Sequence, residues 1–191
     1  MSWRTPGTPP PPTMGLLELS SIARGIHATD RMLKASKVEL VLSRTICSGK
    51  FMIVIAGELR DVEASMAAGR AVGDECTIDH MILADVHPDV YPAITATTSL
   101  TGRGAIGIIE SFSVASLVEA IDKVAKAAPV EMVQCRLAMA MGGKAFLVFC
   151  GDVEAVGYAM AAGAEVVERR GLLVNKVVIP DPRPELFETL I

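Results

Sequence analysis

The chain has 191 residues and a net charge of -4, and it is 51% apolar with only 4% aromatic content. That balance supports a sizeable core of small aliphatic side chains and excludes the basic footprint of a nucleic-acid binder. No apolar run approaches the roughly 20 residues that a bilayer crossing needs.

Residues 1–13, MSWRTPGTPPPPT, form a proline-rich tail with no apolar segment of the secretory kind. The tail reads as extended or solvated, with a partner-docking segment as the other reading. A cytoplasmic setting follows as the expectation, and in it Cys47, Cys76, Cys135 and Cys150, which show no CxxC spacing, are reduced thiols.

The short apolar run 16–19 predicts a buried strand. Residues 22–36 then carry Ile22, Ile26 and Leu33 near helical spacing, with Ala23 and Met32 alongside and Ser20-Ser21 placed to cap the start. Two β-branched or apolar runs, 38–43 and 51–56, flank the loop TICSGK at 45–50. Gly57 marks an exit into a second helix over 58–72, whose acidic opening suits the positive end of the helix dipole. A strand near 77–84 and a short proline-initiated helix near 88–96 complete the unit.

The same order then recurs. Gly15, Glu18, Ala23 and Asp30 match Gly107, Glu110, Ala115 and Asp122; Lys34-Ala35 matches Lys126-Ala127, and Arg44 matches Arg136. Beyond a small insertion, Gly49-Lys50 matches Gly143-Lys144 and MAAG at 66–69 matches MAAG at 160–163; near the ends, Pro88 matches Pro184 and Tyr91 matches Phe187. Agreement in order across the whole length marks a duplication. The predicted fold class is α/β (α+β): two tandem β-α-β-β-α-β units of the ferredoxin-like split type, antiparallel sheets with helices, each followed by a tail helix. The expected divisions are 14–98, a linker 99–104 of small and polar residues, and 105–191.

GLLELSSIARGIHATDRMLKA and IGIIESFSVASLVEAIDKVAKA both resemble the opening of the bacterial microcompartment domain, a Gly-x-Ile-Glu strand before a helix with Asp-x-x-x-Lys-Ala. IAGEL and FCGDV resemble that family's Gly-Asp-Val joint, and IPDPRPEL resembles its Ile-Pro-Arg-Pro signature with Asp181 at the usual arginine position. The resemblance implies a structural, non-enzymatic shell protein located in a microcompartment shell. It implies a homotrimer that mimics a hexamer, tiled with other shell proteins, without nucleic-acid or membrane partners. It also implies shell-edge contacts at Lys34 and Lys126, and at Arg183 in shifted form; a solvated helix face is the alternative for the lysines.

By the same resemblance, the loop after the second strand lines a central pore: Thr45, Ile46, Cys47, Ser48, Gly49 and Lys50 from the first unit, and Met141, Gly142 and Gly143 from the second. Threefold symmetry would then bring three Cys47 thiols together. TICSGK resembles TICPGK, a loop of cluster-bearing tandem shell proteins, with Ser48 in place of proline. The implied cofactor is one 4Fe-4S cluster per trimer, held by three Cys47 thiolates, with electron transfer across the shell or cluster delivery to an enclosed redox enzyme as its use. A pore without cofactor that conducts small metabolites, a thiolate zinc site, and a soluble trimeric small-molecule-binding regulator stay open beside it. An enzyme has little support: His27, His80 and His87 lack metal-ligand spacing, and GGK at 142–144 lacks the rest of a phosphate loop.

Overall fold

The computed structural model describes residues 9–98 and 104–190. Residues 1–8 of the proline-rich tail and 99–103 of the expected linker lie outside the described residues. The chain separates into two compact units, Met1–Val86 and His87–Ile191.

The first unit runs β1 (Thr13–Leu19), α1 (Ile22–Ala35), β2 (Glu39–Ile46), β3 (Lys50–Gly57), α2 (Leu59–Gly73) and β4 (Thr77–Ala84). Its sheet has the order β2-β3-β1-β4 with antiparallel neighbours throughout. The order follows from the helices. Each crossover returns the chain one strand-width beyond its neighbour, so β3 slots between β1 and β2, giving the predicted split pattern. β1 is buried along its whole length, and β3 is buried except at its two ends, which explains their unbroken apolar character. Thr13, assigned to the tail from composition, is instead the first residue of β1, because pairing with Gly57 and Ala84 extends the strand toward the prolines. Pro9–Pro12 border a surface cavity of about 560 Å³ together with Lys37 and Asp61, and the Val86 N–H donates to the Pro12 carbonyl.

Ser21 caps α1 by accepting from the Arg24 N–H. The face that α1 buries is Gly25, Ala28, Thr29 and Met32, not the larger Ile22, Ile26 and Leu33, all of which are exposed. The reason is close packing. Gly25 lies against the Phe51 ring, and Gly69 of α2 lies against the Met32 side chain. Small residues therefore form the contact, and the Ser65 hydroxyl ties α2 to the Met32 carbonyl at 2.9 Å.

The second unit runs α3 (Val90–Thr95), β5 (Ala105–Ser111), α4 (Val114–Ala127), β6 (Glu131–Leu137), β7 (Ala145–Gly151), α5 (Val153–Arg169), β8 (Leu173–Ile179) and α6 (Pro184–Leu190). Its sheet, β6-β7-β5-β8, repeats the first. Even the irregularities are duplicated: the register shifts at Glu18/Leu19 and Leu40/Leu42 return at Glu110/Ser111 and Met132/Gln134. On one face of the sheet, Phe187 of α6 packs with Ile106, Val133, Val148 and Cys150.

The sequence repeat and the compact units part company at one element. α3 ends the first repeat, expected over 14–98, yet it packs on α4 and β6. The compact division consequently falls before His87, whose backbone N–H donates to Asp122 at 2.8 Å.

The matched glycines Gly15 and Gly107 occupy unequal surroundings. A Cβ on Gly15 would meet the flexible Met66 side chain at 2.8 Å, whereas one on Gly107 would meet the Phe149 ring at 2.4 Å. Phe149 is fully buried and cannot yield. Gly107→Ala should therefore destabilise by about 1–3 kcal/mol and Gly15→Ala by distinctly less. Paired urea unfolding midpoints measure the difference, and equal losses would contradict it.

Candidate functional site

The TICSGK loop is shorter in three dimensions than in the sequence. Thr45 and Ile46 end β2 and Lys50 begins β3, leaving Cys47–Gly49 as one tight 3-10 turn. Cys47 is half-buried, while Thr45, Ser48 and Gly49 are exposed. Ile46 departs from its expected place in the pore lining: it is buried in the core, since alternation along β2 turns it inward.

The turn is built on left-handed backbone. Ser48 has φ 63° and Gly49 φ 71°. Glycine accepts that conformation freely, whereas serine is strained in it. Proline, the residue of the resembling TICPGK loop, has φ locked near -65° and cannot adopt it. Ser48 thus gives this chain a bend that a proline would forbid, which is a change of geometry rather than of stiffness alone. A Cβ at Gly49 would meet nothing within 4 Å, so the crest of the turn is open.

A charged tether anchors each loop. Lys50 Nζ lies 2.8 Å from Oε1 of the buried Glu18. In the second unit Lys144 Nζ lies 2.6 Å from Glu110 Oε1. Both glutamates lie on the first strand of their unit, paired with Met52 and Phe146 of the hairpin strand, two residues along from the lysine and so on the same face of the sheet. Lys50 is therefore engaged with the sheet, a role the loop reading did not assign. The signal was present in the repeat, where Glu18/Glu110 and Lys50/Lys144 coincide.

The second loop differs in kind. Residues 138–144 carry four left-handed residues, Ala138, Ala140, Gly142 and Gly143. Gly142 is exposed, and Met141 and Gly143 are half-buried. Met139 is the more exposed methionine of this loop.

The remaining positions separate from the loops. Lys34 pairs with Asp30 at 2.7 Å, and Lys126 pairs with the fully buried Asp122 at 2.9 Å. Arg183 pairs with Glu185 at 3.3 Å in full exposure. Exposed pairs of this kind contribute little to stability, which leaves Lys34 and Arg183 available to other contacts.

None of the four cysteines is in a disulfide. Cys135 and Cys150 are buried core residues, and Cys76 is half-buried in a turn before β4. Burial, with the Glu131 carboxylate nearby, raises the Cys150 thiol from 9.0 to about 11. Among the described residues no group of three or more His, Cys, Asp or Glu side chains is arranged to hold a metal ion. One chain supplies a single soft donor at the loop crest; further ligands would have to come from other copies.

A strand–helix framework duplicated down to its bulges, with a tethered loop at the same hairpin of each unit, defines a tandem-domain shell protein. The BMC domain model matches residues 13–86 and again 105–182. Bacterial microcompartment shell protein PduT of Citrobacter freundii is 38% identical over 178 residues, covering 93% of this chain and 97% of that protein. The crystal structure of a microcompartment protein from Desulfitobacterium hafniense superposes with TM-score 0.88 at 45% identity, covering 92% of this chain and 98% of that one. The fused permuted hexameric shell protein of the RMM microcompartment shares the fold at TM-score 0.60 and 20% identity, covering 82% of this chain and 81% of that one. The chain belongs to the bacterial microcompartment shell-protein family, in its tandem form. Among the described residues no helix is long and apolar enough to cross a membrane.

Two outcomes follow from the loop and the thiols. Ser48→Gly should stabilise the chain by about 0.5–1 kcal/mol by relieving left-handed strain. Ser48→Pro should destabilise it by about 2–3 kcal/mol. Thermal or urea unfolding of both variants tests this, and a tolerated proline would show that the turn is not held left-handed.

Native-state maleimide labelling at pH 8 should modify Cys47 and Cys76 while sparing Cys135 and Cys150. Folding raises the Cys150 pKa, so the stabilisation it carries is complete below about pH 9 and is lost as pH climbs toward 11. The unfolding midpoint should fall across that window, and Cys150→Ala should flatten the fall.

Proposed function

We propose that the chain is a structural, non-enzymatic tile of a microcompartment shell: a homotrimer that mimics a hexamer, packed among other shell proteins. Its Cys47 loops converge on the threefold axis and hold one 4Fe-4S cluster through three thiolates. The observation that carries this is the placement of Cys47, the one cysteine on the crest of a hairpin, in a turn uncrowded on its outer side.

The donor chemistry suits the cluster. Thiolate is the usual protein ligand of iron–sulfur clusters, and three cysteines on a cubane leave one iron for an outside ligand. When bound, the cluster would supply one-electron transfer at the pore or be passed to an enclosed enzyme. The chain's own residues do the holding. The Glu18–Lys50 pair fixes the base of the hairpin, the left-handed Ser48 and Gly49 turn the crest, and the exposed Ser48 hydroxyl can donate a hydrogen bond to a sulfide. Cys135 and Cys150, buried in the sheet, take no part.

The second loop set, with Met139, Met141 and the two glycines, is unlike the first. A trimer of such chains has two kinds of loop around its axis where a true hexamer has one. Lys34, Lys126 and Arg183 are proposed for the tile edges, where each keeps some exposure and a long, adaptable side chain.

Anaerobic incubation of the full chain with ferrous iron and sulfide, followed by absorption and paramagnetic resonance, tests the cluster. Wild type should become brown and bind about four irons per trimer, as the cubane requires, while Cys47→Ser should stay colourless with unchanged mass. Equal uptake by Cys47→Ser, or none by wild type, would sink the cluster and leave a pore for small metabolites as the reading. Zinc uptake without sulfide would point to a thiolate zinc site. Electron microscopy of concentrated protein should reveal flat sheets, which a soluble ligand-binding trimer would not form.

A further inference from the structure

Pro9–Pro12 form one wall of the cavity of about 560 Å³ on the first unit. The facing wall is made by Lys37 and Glu39 around the start of β2, by Gly57, and by Glu58 and Asp61 at the start of α2. The cavity lies at the far end of β3 from the Cys47 turn. Its size falls among the pockets of about 300–1,000 Å³ that take a ligand or a large side chain. The two walls differ in chemistry. Prolines offer ring faces and carbonyls but no backbone N–H, so their wall can stack on an aromatic group and cannot donate a hydrogen bond to it. The facing wall sets three carboxylates against one ammonium, which favours a cation. An aromatic ring next to a positive charge meets both demands.

The duplication shows that these walls are particular to the first unit. Lys37 and Asp61 match Pro129 and Ala155, and Pro9–Pro12 match TGRG at 101–104. Neither the proline wall nor the Asp61 carboxylate belongs to the framework that both units share. The chain also carries the matching occupant beside the cavity. In MSWRTPGT, residues 1–8, Trp3 is the only tryptophan, and Arg4 follows it. Thr5-Pro6-Gly7-Thr8 then has the x-Pro-Gly-x pattern of a reverse turn. Counted outward from that turn, Arg4 stands opposite Pro9 and Trp3 opposite Pro10.

We propose that this cavity is the docking site for residues 1–8 of the same chain. The turn at 5–8 doubles the segment back, the Trp3 indole stacks on the proline rings, and the Arg4 guanidinium pairs with Asp61 and Glu58 on the facing wall. The Ser36 hydroxyl, which donates to Asp61, holds that carboxylate in place for it. A segment joined to its site by one short turn is present there at a high effective concentration, so it outcompetes a free ligand of similar chemistry. Docking of this kind needs neither the trimer nor the cluster.

Trp3 fluorescence in the full chain is the test, since no other tryptophan contributes. Wild type should emit to the blue of the free peptide MSWRTPGT and resist acrylamide quenching several-fold better. Arg4→Glu should bring both values toward those of the peptide, and adding Asp61→Arg to it should restore the protection. A Trp3 as accessible in wild type as in the peptide would overturn the docking. Protection that neither Arg4→Glu nor Asp61→Arg alone reduces would place the segment elsewhere and overturn the site. Protection lost on dilution would make a second copy the occupant and overturn docking within one chain. Arg4→Glu leaves every core residue in place, so it reads the docking even where Asp61→Arg unfolds the chain, which circular dichroism detects.

Discussion

The antiparallel pairing of β3 against β1 is the contact on which each unit depends. It places an almost wholly buried strand between two neighbours, and it needs the chain to cross over a helix before β2 and to turn back sharply after it. The crossover fixes α1 on the sheet. The sharp return fixes the Cys47 turn at one end of the sheet. Gly15 against Ile55 and Gly107 against Phe149 set that register in the two units. A one-residue slip would turn every buried side chain of the strand to the other face.

Upon that frame the chemistry is economical. The pairing of β1 with β3 sets Glu18 beside Met52, two residues from Lys50, and the buried carboxylate with its lysine partner holds the hairpin where the loop begins. A buried carboxylate needs such a partner, since leaving it alone is strongly unfavourable. The duplication repeats the tether at Glu110 and Lys144 but not the loops. Framework and tether are common to both units, while the crest residues differ: a thiol, a serine and a glycine in one, methionines and glycines in the other. The two units thus agree in the support of the loop and differ in its crest.

Much was legible before any coordinates. The duplication, the strand–helix order, the Ser21 cap and the isolation of Cys47 from the other cysteines all follow from local pattern and repeated motif. Other features misled. Ile22, Ile26 and Leu33 have the spacing of a core stripe, yet Gly25, Ala28 and Met32 face the sheet, because Phe51 and α2 approach too closely for large side chains. Ile46 read as loop and is core, because strand pairing ran further than the apolar run. Periodicity identifies that a helix has an apolar face; it does not say which of two apolar faces meets its own sheet.

What the sequence determined by itself was therefore the architecture, since it is written in local order and in a repeat that needs no distance; Cys47 was singled out there only as what the family resemblance implies. Only the tertiary structure decided that Ser48 bends left-handed, that Lys50 is held by Glu18, and that α3 packs on α4 while α1 keeps its outer face open. Each of those depends on residues far apart in the chain being brought within a few ångströms, which spacing along one strand or helix cannot report.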